Sequence, residues 1–405
     1  MRLSRTLAAM APKGLLARAP AATTAASKAH LSVAPVLGSR VAAPAVRSMV
    51  LRAAPALRFS TSAEEEDVDI DGVAYGFMAS QALFTALEIG VYDEIAISPG
   101  GSLSFEALKS ACGVDAWRLE TLLTSLVAFK SLKLDRPGGV YSLSPNTARF
   151  LVQSSRNYYG DYLKYQIGRQ FYGRMESLPK IMATGEAPSY ADWFSNPEEA
   201  DTYTKAQHNG STATAKVLVR KKLSLAGVGE MLDVGGGSGA FSYVFAAASP
   251  ELKSTVLELP GVCASAAKIK SEQPQDIQDR VSYVELDATS PSWPVPETHF
   301  DLVLMSYISG SVPEFLIEKL YANAHKALKP GGRLVVHDFM VDDSLDGPAL
   351  AAYWALQHVT VNSAGLGLCP AKISERMGRA GFDLATLKVD EMIHGLTKVM
   401  SVTKK

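Results

Sequence analysis

The chain has only three cysteines in 405 residues, Cys112, Cys263 and Cys369, and none stands in a CxxC or Cys/His ligand spacing. They read as ordinary semi-buried thiols, and no metal site is assigned. No apolar run approaches the roughly 20 residues of a helical membrane span, so no membrane partner is expected. Acidic residues are missing from the first 63 positions, which hold nine Lys or Arg among many Ala, Ser, Thr and Pro before the run Glu64-Glu65-Glu66-Asp67. That opening reads as an organellar transit peptide. Arg2, Arg5, Arg18, Arg40, Arg47, Arg52 and Arg58 suit a basic amphipathic helix drawn into mitochondria, and Arg58-Phe59-Ser60 resembles a matrix-protease cleavage context. Plastid import is the alternative. Setting those nine cations aside leaves 31 of the 40 basic residues against 41 acidic ones, a formal charge near −10. Such a body is poorly suited to a phosphate backbone, and nucleic acid is not an expected partner.

What is present falls into four regions: a presequence (1–63), a small helical domain (64–155), a helical connector (156–225) and an α/β domain (226–405). In the second, apolar residues at helical spacing from Tyr75 to Leu87 predict a helix ending near Gly90. A second helix follows Ser104. A third begins near Asp115 with Leu119, Leu122, Leu123 and Leu126 as its stripe, before a hairpin at Pro137-Gly138-Gly139. Three helices and a β-wing make a winged helix. A DNA reader would offer many polar groups on the third helix, but here it offers chiefly Arg118 and Lys130, so dimerisation is the expected use. The connector is rich in Tyr and ends in a polar helix from about residue 197. Beyond Gly229 short apolar strands, at 231–234, 254–257, 281–286, 302–305 and 333–336, alternate with helices, and Lys398 to Val402 reads as a closing strand. Such alternation predicts a parallel sheet with crossover helices.

The first of these strands runs into Leu232-Asp233-Val234-Gly235-Gly236-Gly237-Ser238-Gly239, where missing Cβ atoms let the backbone approach a ligand. The spacing Gly235, Gly237, Ala240 with Glu258 about 20 residues onward also fits a dinucleotide loop. Glu258 closes the second strand, where a carboxylate can accept hydrogen bonds from ribose hydroxyls; NAD and S-adenosylmethionine share that ribose. Asp287 ends the third strand as an acceptor for an adenine amino group, with Ala288 leaving room beside the ring, and Lys329-Pro330-Gly331-Gly332 turns into the fifth strand.

This ordered set, with paired strands after Gly381-Phe382, resembles the class I methyltransferases. The chain beyond its presequence resembles the plant-type phenolic and acetylserotonin-type O-methyltransferases. The resemblance implies a Rossmann-like domain with a mixed seven-stranded sheet, a winged-helix domain pairing two subunits, and S-adenosylmethionine as methyl donor. It implies a cofactor set of Ser211, Asp233, Gly235, Gly236, Gly237, Gly239, Glu258, Leu259, Asp287, Ala288 and Ser306.

One departure is informative. In that family the fourth strand leads to a histidine that deprotonates the phenol, and here Gly310 stands in its place, with Ser306 for the family's lysine. The carboxylate expected near Gly367 and Leu368 is also absent, while Asp338 keeps the other acid. A hydroxyl must lose its proton to become a good nucleophile, whereas a thioether has none to lose. The lost base therefore matches the algal and bacterial enzymes that methylate the sulfur of 4-methylthio-2-hydroxybutyrate, which the chain also resembles. Positions matching the family's pocket are Tyr165, Gln166, Arg169, Gln207, His208, Tyr307, Trp354 and His358. Arg169 is expected to meet the substrate carboxylate, with Tyr165 and Tyr307 offering ring faces to the sulfonium. His337 and His358 are the alternative bases for an O-methyltransferase; a silent cofactor-binding protein is the alternative of another class.

Overall fold

Short polar caps start several of the helices. In the computed structural model, which describes residues 67–393 and 396–405, Asp69 accepts from the Gly72 N–H to open α1 (Ile70–Glu88). Gly90, at φ +77°, turns the chain into α2 (Val91–Ile97). Ser104 caps α3 (Phe105–Cys112) and Asp115 caps α4 (Ala116–Ala128). Strands β1 (Ser102–Ser104), β2 (Leu132–Asp135) and β3 (Val140–Leu143) form an antiparallel sheet in the order β1-β3-β2. Leu119, Leu123 and Leu126 of α4 are fully buried with Ile95, Leu108 and Tyr92, giving this winged-helix unit its own core. Sequence periodicity gives no signal for α2. Its Val91, Tyr92 and Ile95 are held helical by burial rather than by propensity. The expected presequence lies outside the described residues.

The connector packs on α1. A π-helix, Tyr162–Phe171, brings Gly168 against the Phe84 ring and leads to Tyr172, edge-on to Phe84 at 6.4 Å. Ser189 and Asp192 close a reciprocal cap on α5 (Tyr190–Phe194). Asn196 caps α6 (Pro197–Lys221), whose first turn carries Pro197, Glu198 and Glu199 and whose last carries Arg220 and Lys221, the charge order the helix dipole favours.

The remaining chain is a doubly wound sheet in the order β6-β5-β4-β7-β8-β10-β9. Strands β4 (Glu230–Val234), β5 (Lys253–Glu258), β6 (Val281–Glu285), β7 (Phe300–Ser306) and β8 (Leu328–Phe339) are parallel. The last two, β9 (Phe382–Ile393) and β10 (Thr397–Lys404), form an antiparallel pair, with β10 also antiparallel to β8. This is the mixed seven-stranded sheet that the resemblance implies. Period-two alternation sends neighbouring residues to opposite layers. Leu232, Val234, Val303, Met305, Leu334 and Val336 meet α9 (Glu314–Ala327) and α11 (Pro370–Arg379). Met231, Leu302, Leu304 and Val335 meet α7 (Ala240–Ala248) and Ala215 and Leu218 of α6. Between α7 and α9 in the chain lies α8 (Pro260–Ser271), and α10 (Ala349–Val359) follows β8.

Leu304 is completely buried in β7, so Leu304→Ala should destabilise the fold by about 3 kcal/mol. Thermal or urea unfolding checks this; a loss below about 1 kcal/mol would mean that the layer against α7 is loosely packed.

Candidate active site

The parallel strands β4 and β7 diverge in connection at their carboxyl ends, the place where a doubly wound sheet leaves a crevice. A cavity of about 350 Å³ opens there. One wall is the turn from β4 into α7. Gly235 takes φ +66°, and a Cβ there would lie 2.6 Å from Ile308 Cδ1, so only glycine fits. The Gly235 N–H donates to the Leu257 carbonyl at 2.8 Å and the Gly237 N–H to Glu258 Oε2 at 2.8 Å, which ties the turn to the end of β5. A Cβ on Gly237 would meet nothing within 4 Å, so the backbone there is open towards a ligand.

The acids of the crevice have distinct environments. Glu258 also accepts from the Leu259 N–H at 2.7 Å; burial pushes its carboxyl up to about 7 against the pull of those two N–H donors. Asp233 accepts from Ser242 Oγ at 2.7 Å through Oδ2, while its buried Oδ1 has no partner among the described residues, and burial lifts it to about 6. Asp287 accepts from the N–H and hydroxyl of Thr289 at 2.8 and 2.7 Å. A free acceptor on Asp233, a backbone cradle without Cβ atoms and a carboxylate at the end of β5 together fit an amino-acid-bearing nucleoside. Of the implied cofactor set, Ser211, Asp233, Gly235, Gly236, Gly237, Glu258, Leu259, Asp287, Ala288 and Ser306 line the cavity. Gly239 does not: it caps α7 at φ +78°, where a Cβ would strike the Tyr243 and Tyr283 side chains.

The acceptor half is less close to expectation. Gln207 and Tyr307 line the cavity. His208 lies behind it, its Nδ1 2.8 Å from Ser238 Oγ, linking α6 to the glycine turn. Trp354 stacks on Phe339 at 4.3 Å and meets Phe171 edge-on at 5.5 Å, and His358 lies one turn further along α10 against Gly310. Gln166 is fully buried with both amide atoms unpartnered among the described residues. Arg169 is a correction. Its side chain is 58% exposed and is held 2.6 Å from Glu88 of α1, with the Tyr165 ring 4.9 Å beneath it, so neither residue reaches the cavity. The π-helix explains the difference: its i→i+5 bonding shifts residues around the axis relative to α-helical spacing, burying Gln166 and turning Arg169 outward. Among the described residues that line the cavity none is His, Lys or Arg.

Sequence reasoning missed Tyr190, Tyr203 and Ser311, which line the acceptor side. The only signal for Tyr190 and Tyr203 was the Tyr-rich connector, and Ser311, in the turn after β7, had none. Burial raises the Tyr190 hydroxyl to about 12, with Ser311 and Gln357 as its polar neighbours, and raises Tyr203 further, beside Gln207. No cluster of His, Cys, Asp and Glu suited to a metal occurs among the described residues.

The chain is similar to known proteins in sequence and fold. The family model of the O-methyltransferase domain matches residues 179–383, and that of the O-methyltransferase dimerisation domain matches residues 72–154. Human acetylserotonin O-methyltransferase is 28% identical over 327 residues, covering 77% of this chain and 91% of that protein. The N,N-dimethyltransferase OxyT of Streptomyces rimosus is 29% identical over 272 residues, covering 65% of this chain and 75% of that protein. The crystal structure of human N-acetylserotonin methyltransferase in complex with SAM superposes with a TM-score of 0.74 at 23% identity, over 85% of this chain and 99% of that one. The chain therefore belongs to the O-methyltransferase family, and it is an S-adenosylmethionine-dependent methyltransferase with an N-terminal dimerisation domain.

Proposed function

We propose that this enzyme methylates the sulfur of a small thioether 2-hydroxy acid, 4-methylthio-2-hydroxybutyrate, to give 4-dimethylsulfonio-2-hydroxybutyrate. In this reading it works as a homodimer, delivered to the mitochondrion by residues 1–63. The observation that carries the reading is Gly310, a residue without a side chain where the family places its base, next to a cavity with no His, Lys or Arg among its described lining residues. Membership of the family leaves the acceptor atom open, since relatives of similar identity are named for transfer to oxygen and to nitrogen.

S-adenosylmethionine supplies a methyl carbon whose departure leaves the bonding pair on the donor sulfur, so a thioether acceptor takes the positive charge and releases no proton. The chain's own residues then have to bind, align and exclude water. In this reading Glu258 accepts from ribose hydroxyls, Asp233 Oδ1 from an amino group, and Asp287 from adenine. The lining residues Tyr190, Tyr203, Gln207 and Ser311 would offer neutral donors to the hydroxy acid, and Tyr307 its ring to the developing sulfonium. The second reading is O-methylation, favoured by Asp338, which is retained, and by His358 beside Gly310. Burial lowers His358 to about 4, a weak base for a hydroxyl at neutral pH, and this favours the thioether.

Labelled S-adenosylmethionine offered to the full chain with 4-methylthio-2-hydroxybutyrate, methionine, methylthiopropionate and a simple phenol tests the reading. Turnover of the hydroxybutyrate alone is expected. Turnover of the phenol would return the protein to O-methylation, and no turnover would favour a silent cofactor-binding protein.

Cofactor binding should also depend on pH. Glu258 accepts two ribose bonds only when ionised, and its folded value lies near 7, so affinity should rise by roughly tenfold in all from pH 6 to pH 8, most of it below pH 7. Without ligand the sign is opposite: a raised carboxyl contributes stability below its unfolded value that is lost as pH rises through about 7. The gain in Tm on adding S-adenosylmethionine should therefore be larger at pH 8 than at pH 6. Glu258→Gln should weaken binding by about 10- to 100-fold and flatten the profile; calorimetry checks both.

A further inference from the structure

Glycine at position 310 is not explained by the backbone. Gly310 lies in a short turn, Ser309–Ser311, and does not take a left-handed φ, so an ordinary residue could adopt its conformation. What excludes a side chain is space: a Cβ built there would collide with Cε1 and Nδ1 of His358 and would lie 2.9 Å from its Nε2. An imidazole therefore fills the volume above Gly310, but it is carried by α10.

The turn cannot easily move away from that ring. The Gly310 carbonyl accepts from Asn362 Nδ2 at 3.2 Å, and the same amide holds the Val312 carbonyl at 3.0 Å. The Gly310 N–H points to Asp338 Oδ2 at 3.4 Å, and Ser309 Oγ is 3.1 Å from the Tyr321 hydroxyl. The ring is confined from its own side too: Trp354, one turn earlier on α10, lies 6.2 Å away by ring centroids and is itself stacked on Phe339. Ile308 and Ser311, which flank Ser309 and Gly310, both line the cavity, and the imidazole packs against the backbone between them, behind that stretch of wall. Among the described residues its nitrogens have no hydrogen-bond partner within the protein, and no carboxylate orients it as a base. It keeps one donor and one acceptor for a ligand.

We propose that His358 is the specificity and positioning residue of the acceptor site: a neutral imidazole, placed from α10 into the space left by Gly310, that engages the hydroxyl or carboxylate end of the acceptor. This deepens the base-free reading above and rests on it for the acceptor's chemical class. Gly310 and His358 then form a compensating pair, each tolerable because of the other.

Two measurements on the full chain test it. Thermal unfolding of Gly310→Ala, His358→Ala and the double variant should be non-additive, with Gly310→Ala lowering Tm clearly beside His358 and little in the His358→Ala background. Additive shifts would overturn the steric pairing whatever the acceptor is. Then, with whichever acceptor of the panel the wild type turns over, His358→Ala should raise the acceptor KM at least tenfold while kcat and S-adenosylmethionine affinity stay within about threefold, and His358→Gln should recover part of the loss. An unchanged acceptor KM would overturn the role of the ring. A loss confined to kcat, with a new dependence on pH, would identify His358 as a base and overturn the proposal in favour of O-methylation. Failure of the wild type on the thioether alone would count against the function proposed above but leave both readouts usable with another acceptor of the panel, and failure on the whole panel would overturn the role of the ring in an acceptor site while leaving the unfolding test of the steric pairing.

Discussion

The pair of hydrogen bonds that fastens the glycine turn to β5 is the constraint around which the catalytic domain is arranged. Gly235 donates to the Leu257 carbonyl and Gly237 to the Glu258 carboxylate, so the backbone leaving β4 is drawn sideways across the end of its neighbouring strand. That path needs left-handed φ values at Gly235 and Gly237. It also places three acids, Asp233, Glu258 and Asp287, around one crevice, where burial raises the carboxyls of Glu258 and Asp233. Their mutual proximity is tolerable because each accepts hydrogen bonds: Asp233 from Ser242 of α7, Glu258 from the Leu259 and Gly237 N–H groups, Asp287 from Thr289.

The other wall is organised by one helix. Along α6, Tyr203, Gln207 and Ser211 are spaced four residues apart and so share a face towards the cavity. The same helix buries Ala215 and Leu218 against the sheet side of the domain, and His208 reaches the glycine turn through Ser238. Cofactor and acceptor walls are therefore coupled mechanically: a shift of α6 moves Ser211 and Gln207 together. The π-helix packs between α6 and α1, which makes the winged-helix unit a support for the acceptor wall through Phe84, Tyr172 and the Arg169–Glu88 pair.

Much of this was legible in the sequence, for physical reasons that also mark where legibility ends. Strand alternation, the glycine turn and the acids closing β5 and following β6 are local patterns, and ten of the eleven residues implied for the cofactor line one cavity. Gly239 misses it because it turns the chain behind the loop. The acceptor side depends on the phase of connector helices, and there the i→i+5 bonding of residues 162–171 rotates Arg169 out to Glu88. Tyr190 and Ser311 come together from distant segments, with no periodicity to announce them. Gly310 could be read as a missing base, but the ring that fills its space belongs to another element 48 residues onward and is visible only in three dimensions.

The central claim is that methyl transfer here needs no proton removed from the acceptor. The most direct test is the pH dependence of single-turnover methyl transfer to 4-methylthio-2-hydroxybutyrate, with S-adenosylmethionine saturating at every pH so that Glu258 is out of the measurement. The account predicts a rate that is flat between pH 6 and 9. A limb rising with pH, tenfold per unit towards a plateau, would show that a base or an ionising hydroxyl takes part and would contradict it.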